Sequence, residues 1–135
     1  MNKTPNELLE KIADAFADLG ARTAELLYQA AQLEQAGMAH ASENWIDKDE
    51  TILRLIHQKD SPHRQTGGKR FEYIGKDPDN IAQARARIER WNEWADIQAE
   101  LEQIKEKRRD ATQNLDMILY NIKAIQKPLP GFDID

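Results

Sequence analysis

A chain of 135 residues, 40% hydrophobic and 32% charged, is long enough for one domain with a modest core and too apolar to stay disordered. Its 19 Lys and Arg stand against 24 Asp and Glu, a net charge of −5 that argues against strong unassisted binding to DNA, and the lack of cysteine excludes a disulfide framework and thiolate chemistry. The amino end shows no signal-peptide pattern and no apolar run reaches the roughly 18 residues of a membrane span, so a soluble cytoplasmic protein without a membrane partner is expected.

The first predicted element is a helix over residues 5–41. Thr4 caps it, Pro5 suits its first turn, and Glu7 completes a capping box. Leu9, Ile12, Phe16, Leu19, Thr23, Leu26, Ala30, Leu33 and Gly37 then recur at alternating steps of three and four, the seam of a coiled coil. Glu7, Glu10, Asp14 and Asp18 form an acidic surface on the same helix. Such a surface can meet a basic protein partner, and it equally favours the positive end of the helix dipole.

Residues 42–50 read as a polar linker holding Trp45. Asp47, Asp49 and Glu50 lie there beside Lys48, which suits a solvated loop or a cap and lacks the glycine of a calcium-binding loop.

Residues 51–76 read as a basic β-hairpin. Thr51–His57 and Lys69–Ile74 are rich in β-branched and aromatic residues, and the stretch between them holds Pro62, Gly67 and Gly68. Alternation predicts Leu53, Leu55, Phe71 and Tyr73 on one face and Ile52, Ile56 and Ile74 on the other. From 53 to 76 the charges are Arg54, Lys59, Arg64, Lys69, Arg70 and Lys76 against Asp60 and Glu72, so the hairpin is a cationic knob on a neutral or acidic body. Its cations can neutralise phosphates and its aromatics can stack on bases, or the cations can simply keep a strand edge from aggregating. A two-stranded ribbon is marginal alone in water, so one face is expected to pack on Trp45, Trp91 and Trp94. The alternative leaves these tryptophans exposed to a protein partner.

The second helix is predicted over 77–127. Asp77 caps it and Pro78 opens it, and apolar positions run from Ile81 through Ala84, Ile88, Trp91, Trp94, Ile97, Leu101, Ile104, Ala111, Leu115, Ile118 and Ile122 to Ile125. Three consecutive steps of three between Ile88 and Ile97 mark a place where the helix changes packing partner. Arg108 interrupts the stripe, to specify register or to snorkel to water. Pro128 and Pro130 end the helix and leave an extended tail over 128–135.

No catalytic constellation emerges. Thr66–Arg70 lacks the first glycine and the Ser or Thr of a phosphate loop, and a strand follows it instead of a helix. His40, His57 and His63 lack zinc spacing. We expect no enzyme, cofactor, metal or small-molecule substrate.

Residues 69–101 (KRFEYIGKDPDNIAQARARIERWNEWADIQAEL) resemble a stretch of small uncharacterised bacterial proteins from phages, plasmids and transposons, in which a YIGKDP-type strand and turn leads into a charged helix. The resemblance implies an accessory role in a mobile element, DNA-associated or inhibitory.

The expected fold is a mainly α single domain, an antiparallel two-helix coiled-coil hairpin with an inserted β-hairpin. At about 1.5 Å per residue the helices would be roughly 55 and 73 Å long, so the longer overhangs and its stripe needs cover. A homodimer forming a helical bundle supplies it. The expected function is a non-enzymatic accessory protein that binds a protein or nucleic acid through the hairpin or a helix face, or alternatively inhibits a host nucleic-acid enzyme in the manner of an anti-CRISPR or anti-restriction protein.

Overall fold

A computed structural model describes residues 4–126 of the chain, which leaves the expected tail over 128–135 outside the described residues. The elements are α1 (Pro5–Ala36), β1 (Ala41–Trp45), β2 (Leu53–His57), the single turn α2 (Pro62–Gln65), β3 (Phe71–Gly75) and α3 (Pro78–Gln126). The protein is therefore mainly helical, with two long helices and a small antiparallel sheet of order β1-β2-β3. Among the described residues no helix is long and apolar enough to cross a membrane.

The capping box forms as written. Glu7 N–H donates to Thr4 Oγ1 and Thr4 N–H donates to Glu7 Oε2, both at 3.2 Å, so two otherwise orphaned donors are satisfied reciprocally. The helix stops at Ala36, five residues before the expected end. Gly37 takes φ +96 and its N–H reaches the carbonyls of Leu33 and Glu34, a left-handed stop that a side chain would strain. The chain then becomes a strand where a linker is expected, so the hairpin is a three-stranded sheet.

Sheet register decides which side chains share a face. Ala41, Glu43 and Trp45 oppose His57, Leu55 and Leu53, while Ser42 and Asn44 oppose Ile56 and Arg54. On the other side of β2, Leu55 pairs with Glu72, Ile56 with Phe71, Arg54 with Tyr73, and Leu53 with Gly75. The jump at Leu53/Arg54 leaves Ile74 as an extra residue in a bulge, and Ile74 packs against the core on the same face as Glu72. This corrects the face assignment made above: Phe71 and Tyr73 lie with Arg54 and Ile56, and Leu53 and Leu55 lie on the opposite face.

That opposite face is covered. Leu53, Leu55, Ala39 and Ala84 are its buried centre, with Ala41, Trp45, Ile74, Ile81 and Ile88 packed around them. Ala39 N–H donates to the Arg87 carbonyl at 3.0 Å, tying the segment after α1 to α3. Over 81–98, where the three-residue steps occur, Ala86, Arg87, Arg90, Ala95 and Gln98 are also partly covered, so this part of α3 presents a broader face. The turn between β1 and β2 is organised by Asp47, whose carboxylate accepts from the Thr51 hydroxyl and from the N–H groups of Ile52 and Thr51. Those bonds, the hydroxyl's first, lower its pKa to about 2.

The chain falls into two compact units, one of Glu25–Glu100 and one of the residues up to Ala24 with those from Leu101 onward. In the second of these, Leu9, Ile12, Phe16, Leu19 and Thr23 of α1 are half-buried, and so are Ala111, Leu115, Ile118 and Ile122 of α3 around a buried Ile104. Leu8, Ile12 and Ala15 share a groove with Ala111, Met117 and Ile118, whereas Thr23 shares one with Leu101, Ile104 and Arg108, so the helices run antiparallel there. Arg108 is exposed, at the one position where the stripe is interrupted.

Candidate nucleic-acid interface on the open sheet face

The uncovered face of the sheet carries Ser42 and Asn44 from β1, Arg54 and Ile56 from β2, and Phe71 and Tyr73 from β3. Phe71 is 50% exposed and Tyr73 70% exposed, an unusual burden of aromatic surface for three short strands. Two residues apart on one strand, their Cα atoms are about 6.6 Å apart, room for one planar group on each ring.

Arg54 is fixed on this face. Its Nε and Nη2 donate to Asn44 Oδ1 at 3.1 and 2.7 Å, and its guanidinium carbon lies 4.7 Å from the Phe71 ring centre. Arg70 approaches the same ring at 5.7 Å. Two cations therefore converge on one exposed aromatic, each attracted by the ring's negative face.

Carboxylates are sorted to the other side. The strands carry two acids, Glu43 and Glu72, and each is neutralised by an arginine of α3. Arg85 Nε donates to Glu43 at 2.7 Å, and Arg87 donates to both Glu72 oxygens at 2.9 and 3.2 Å. None of the strand positions on the open face is acidic. A twisted surface of arginine, amide, hydroxyl and aromatic groups can hold phosphates and stack bases together.

The remaining predicted cations are exposed but spread along the connections. Lys59 follows β2, Arg64 is on α2, Lys69 precedes β3 and Lys76 follows it. Glu7, Glu10, Asp14 and Asp18 are exposed on the first turns of α1, in the other unit. The three tryptophans are half-buried. Trp45 alone packs against the sheet's core, with Arg85 5.8 Å from its ring. Trp91 stacks on His40 at 4.4 Å and on Trp94 at 4.9 Å, and the Trp94 indole N–H donates to Glu34 at 3.0 Å.

A buried polar chain that the sequence reading misses lies under the sheet. His57 Nε2 is 2.7 Å from Glu72 Oε1, His57 Nδ1 is 3.3 Å from Ser61 Oγ, and the His63 ring stacks on His57 at 4.0 Å. Burial lowers the pKa of His57, and the nearby His63 and Arg87 add to the fall against the opposing pull of Glu72. Glu72 is raised by its own burial, but bonds from Arg87 and His57 outweigh this and hold it below the usual carboxylate range. Alternation after Leu53 and Leu55 already turns His57 inward; nothing in the spacing marks Ser61 or Glu72 as its partners.

The order hydroxyl, imidazole, carboxylate matches that of a nucleophilic triad, yet Ser61 is 0% exposed and His57 1% exposed, so no substrate can reach the hydroxyl in this arrangement. His57, His63 and Glu72 also offer ligand atoms within 4.8 Å of one another, the one group of that kind among the described residues. The imidazole planes lie 17° apart in a stack, so their in-plane lone pairs do not converge on one ion, and Arg87 already occupies Glu72. The arrangement is a hydrogen-bonded strut between α2, the sheet and α3. Comparison of the chain with protein-family models, curated proteins and solved structures finds no match.

Proposed function

We propose that the protein is a non-enzymatic accessory module of a mobile element, working in the cytoplasm, whose open sheet face takes a single-stranded nucleic acid segment. The observation that carries this reading is the exposed pair Phe71 and Tyr73, with Arg54 and Arg70 gathered at Phe71, on a face from which the strand carboxylates are excluded. Bases stack on the two rings, phosphates meet the guanidinium groups and the flanking Lys69 and Lys76, and the amide of Asn44 holds Arg54 in place. A duplex is a poorer ligand, because its bases are already stacked.

Phosphate contacts have a thermodynamic signature. Each one lost lowers the slope of log affinity against log salt by about 0.7 for a single strand. Lys69→Ala with Arg70→Ala is therefore expected to weaken binding and to reduce that slope by about 1.4. An unchanged slope would remove both residues from the interface.

We also propose that the long helices form a coiled coil and that a second copy completes a helical bundle. Support comes from the unit containing the start of α1 and the end of α3, where a groove of about 510 Å³ lies between the helices and Leu8, Met117, Leu119 and Tyr120 are exposed. Light scattering at micromolar concentration should give twice the chain mass; a stable monomer would refute the assembly.

A further inference from the structure

A second site lies away from the open sheet face and does not depend on nucleic-acid binding. Within the unit Glu25–Glu100, a groove of about 650 Å³ is lined by Glu34, Met38, Asp60, Pro62, Trp91 and Trp94. His40, Trp91 and Trp94 stack in series, with ring centres 4.4 and 4.9 Å apart and planes inclined by 12° and 29°. Glu34 Oε1 accepts the Trp94 indole N–H, which fixes that ring beside a carboxylate. Asp60 Oδ1 is 3.0 Å from His40 Nδ1, and its side chain is largely exposed.

The groove thus presents indole surface and two carboxylates, and no lysine or arginine lines it. Its chemistry complements an organic cation. A guanidinium fits better than an ammonium, because it is planar, weakly hydrated, stacks on aromatic faces and carries several N–H donors that reach two carboxylates at once. We propose that the groove seats the arginine side chain of a partner protein, its plane on the Trp94 indole and its N–H groups donated to Glu34 and Asp60. The tryptophans then serve recognition as well as packing.

The test uses the full chain and a capped Gly-Arg-Gly peptide, followed through the Trp94 indole N–H resonance. The arginine peptide should move that resonance saturably, the isosteric but neutral citrulline peptide should not, and tetramethylammonium should bind more weakly than arginine. Glu34→Gln with Asp60→Asn should weaken the arginine peptide about tenfold, the loss of charge-assisted bonds, with the melting temperature preserved. An equal response to citrulline, no saturable response to either peptide, or undiminished binding by the folded double variant would leave only a packing cluster and overturn the proposal. Tighter binding of tetramethylammonium than of arginine would overturn the guanidinium assignment. If the double variant does not fold, the comparison of arginine with citrulline on the unmodified chain decides.

Discussion

Phe71→Ala with Tyr73→Ala is expected to weaken binding of a single-stranded oligonucleotide by about 100-fold while leaving the fold intact. Base stacking on an aromatic is worth about 1–3 kcal/mol per base, so two platforms contribute roughly 2–6 kcal/mol. The lower part of that range applies, because the Phe71 ring is already engaged by Arg54 and Arg70 in the free protein and part of its stacking energy is spent. Both side chains are exposed and on the face opposite the buried centre, so truncation opens no cavity. Fluorescence anisotropy measures the affinity and circular dichroism the fold. A folded double variant that binds as well as its parent would show that the rings are not the platform.

The largest effect on stability is expected at His57. Replacing it with alanine removes a side chain that is 1% exposed and leaves the Glu72 carboxylate and the Ser61 hydroxyl each without one partner. Cavity and broken network together should cost about 2–4 kcal/mol in denaturant melts. A cost below about 0.5 kcal/mol would mean that the strut contributes no more than an average surface residue.

The same group gives the protein a pH dependence of definite sign. The fold keeps His57 neutral below its ordinary value of 6.5, whereas the unfolded chain takes up the proton there, so the unfolded state binds more protons and stability falls as pH drops below about 6.5. Glu72, held ionised below its ordinary 4.5, adds a second loss as pH falls below about 4.5. His57→Ala should flatten the first of these slopes and leave the lower-pH loss in reduced form. A melting temperature constant from pH 7 to 5 in the parent chain would contradict this account of His57.

How far each feature can be read in advance depends on whether its cause is local. The α1 stripe from Leu9 to Gly37 is fully or half-buried at every predicted position, because helical periodicity alone places those residues on one side. The capping box of Thr4 and Glu7 is equally local. The end of α1 is not, since Met38, Ala39 and Ala41 are acceptable helix residues and only the positive φ of Gly37 and the pull of the sheet turn the chain out of the helix. β1 is the least legible element: ASENW has neither alternation nor β-branched residues, and it is a strand because Trp45 and Ala41 pack on the core while its backbone pairs with β2.

The candidate interface divides in the same way. Its charge is visible in composition, but the meeting of Arg54 with Phe71 depends on register, which sets Phe71 and Tyr73 beside Ile56 and Arg54 and which alternation within each strand leaves open. Pairing Ile56 with Phe71 and Arg54 with Tyr73 puts both aromatics on the face opposite Leu53 and Leu55. That register turns a half-buried hairpin into a surface able to receive a ligand.

The decisive measurement is an anisotropy titration of the unmodified protein against a labelled single strand of about ten nucleotides and its duplex, at low salt. The proposal requires saturable binding to the single strand, tighter than to the duplex and weakening as salt rises. Absence of binding to the single strand, or a preference for the duplex, would contradict it.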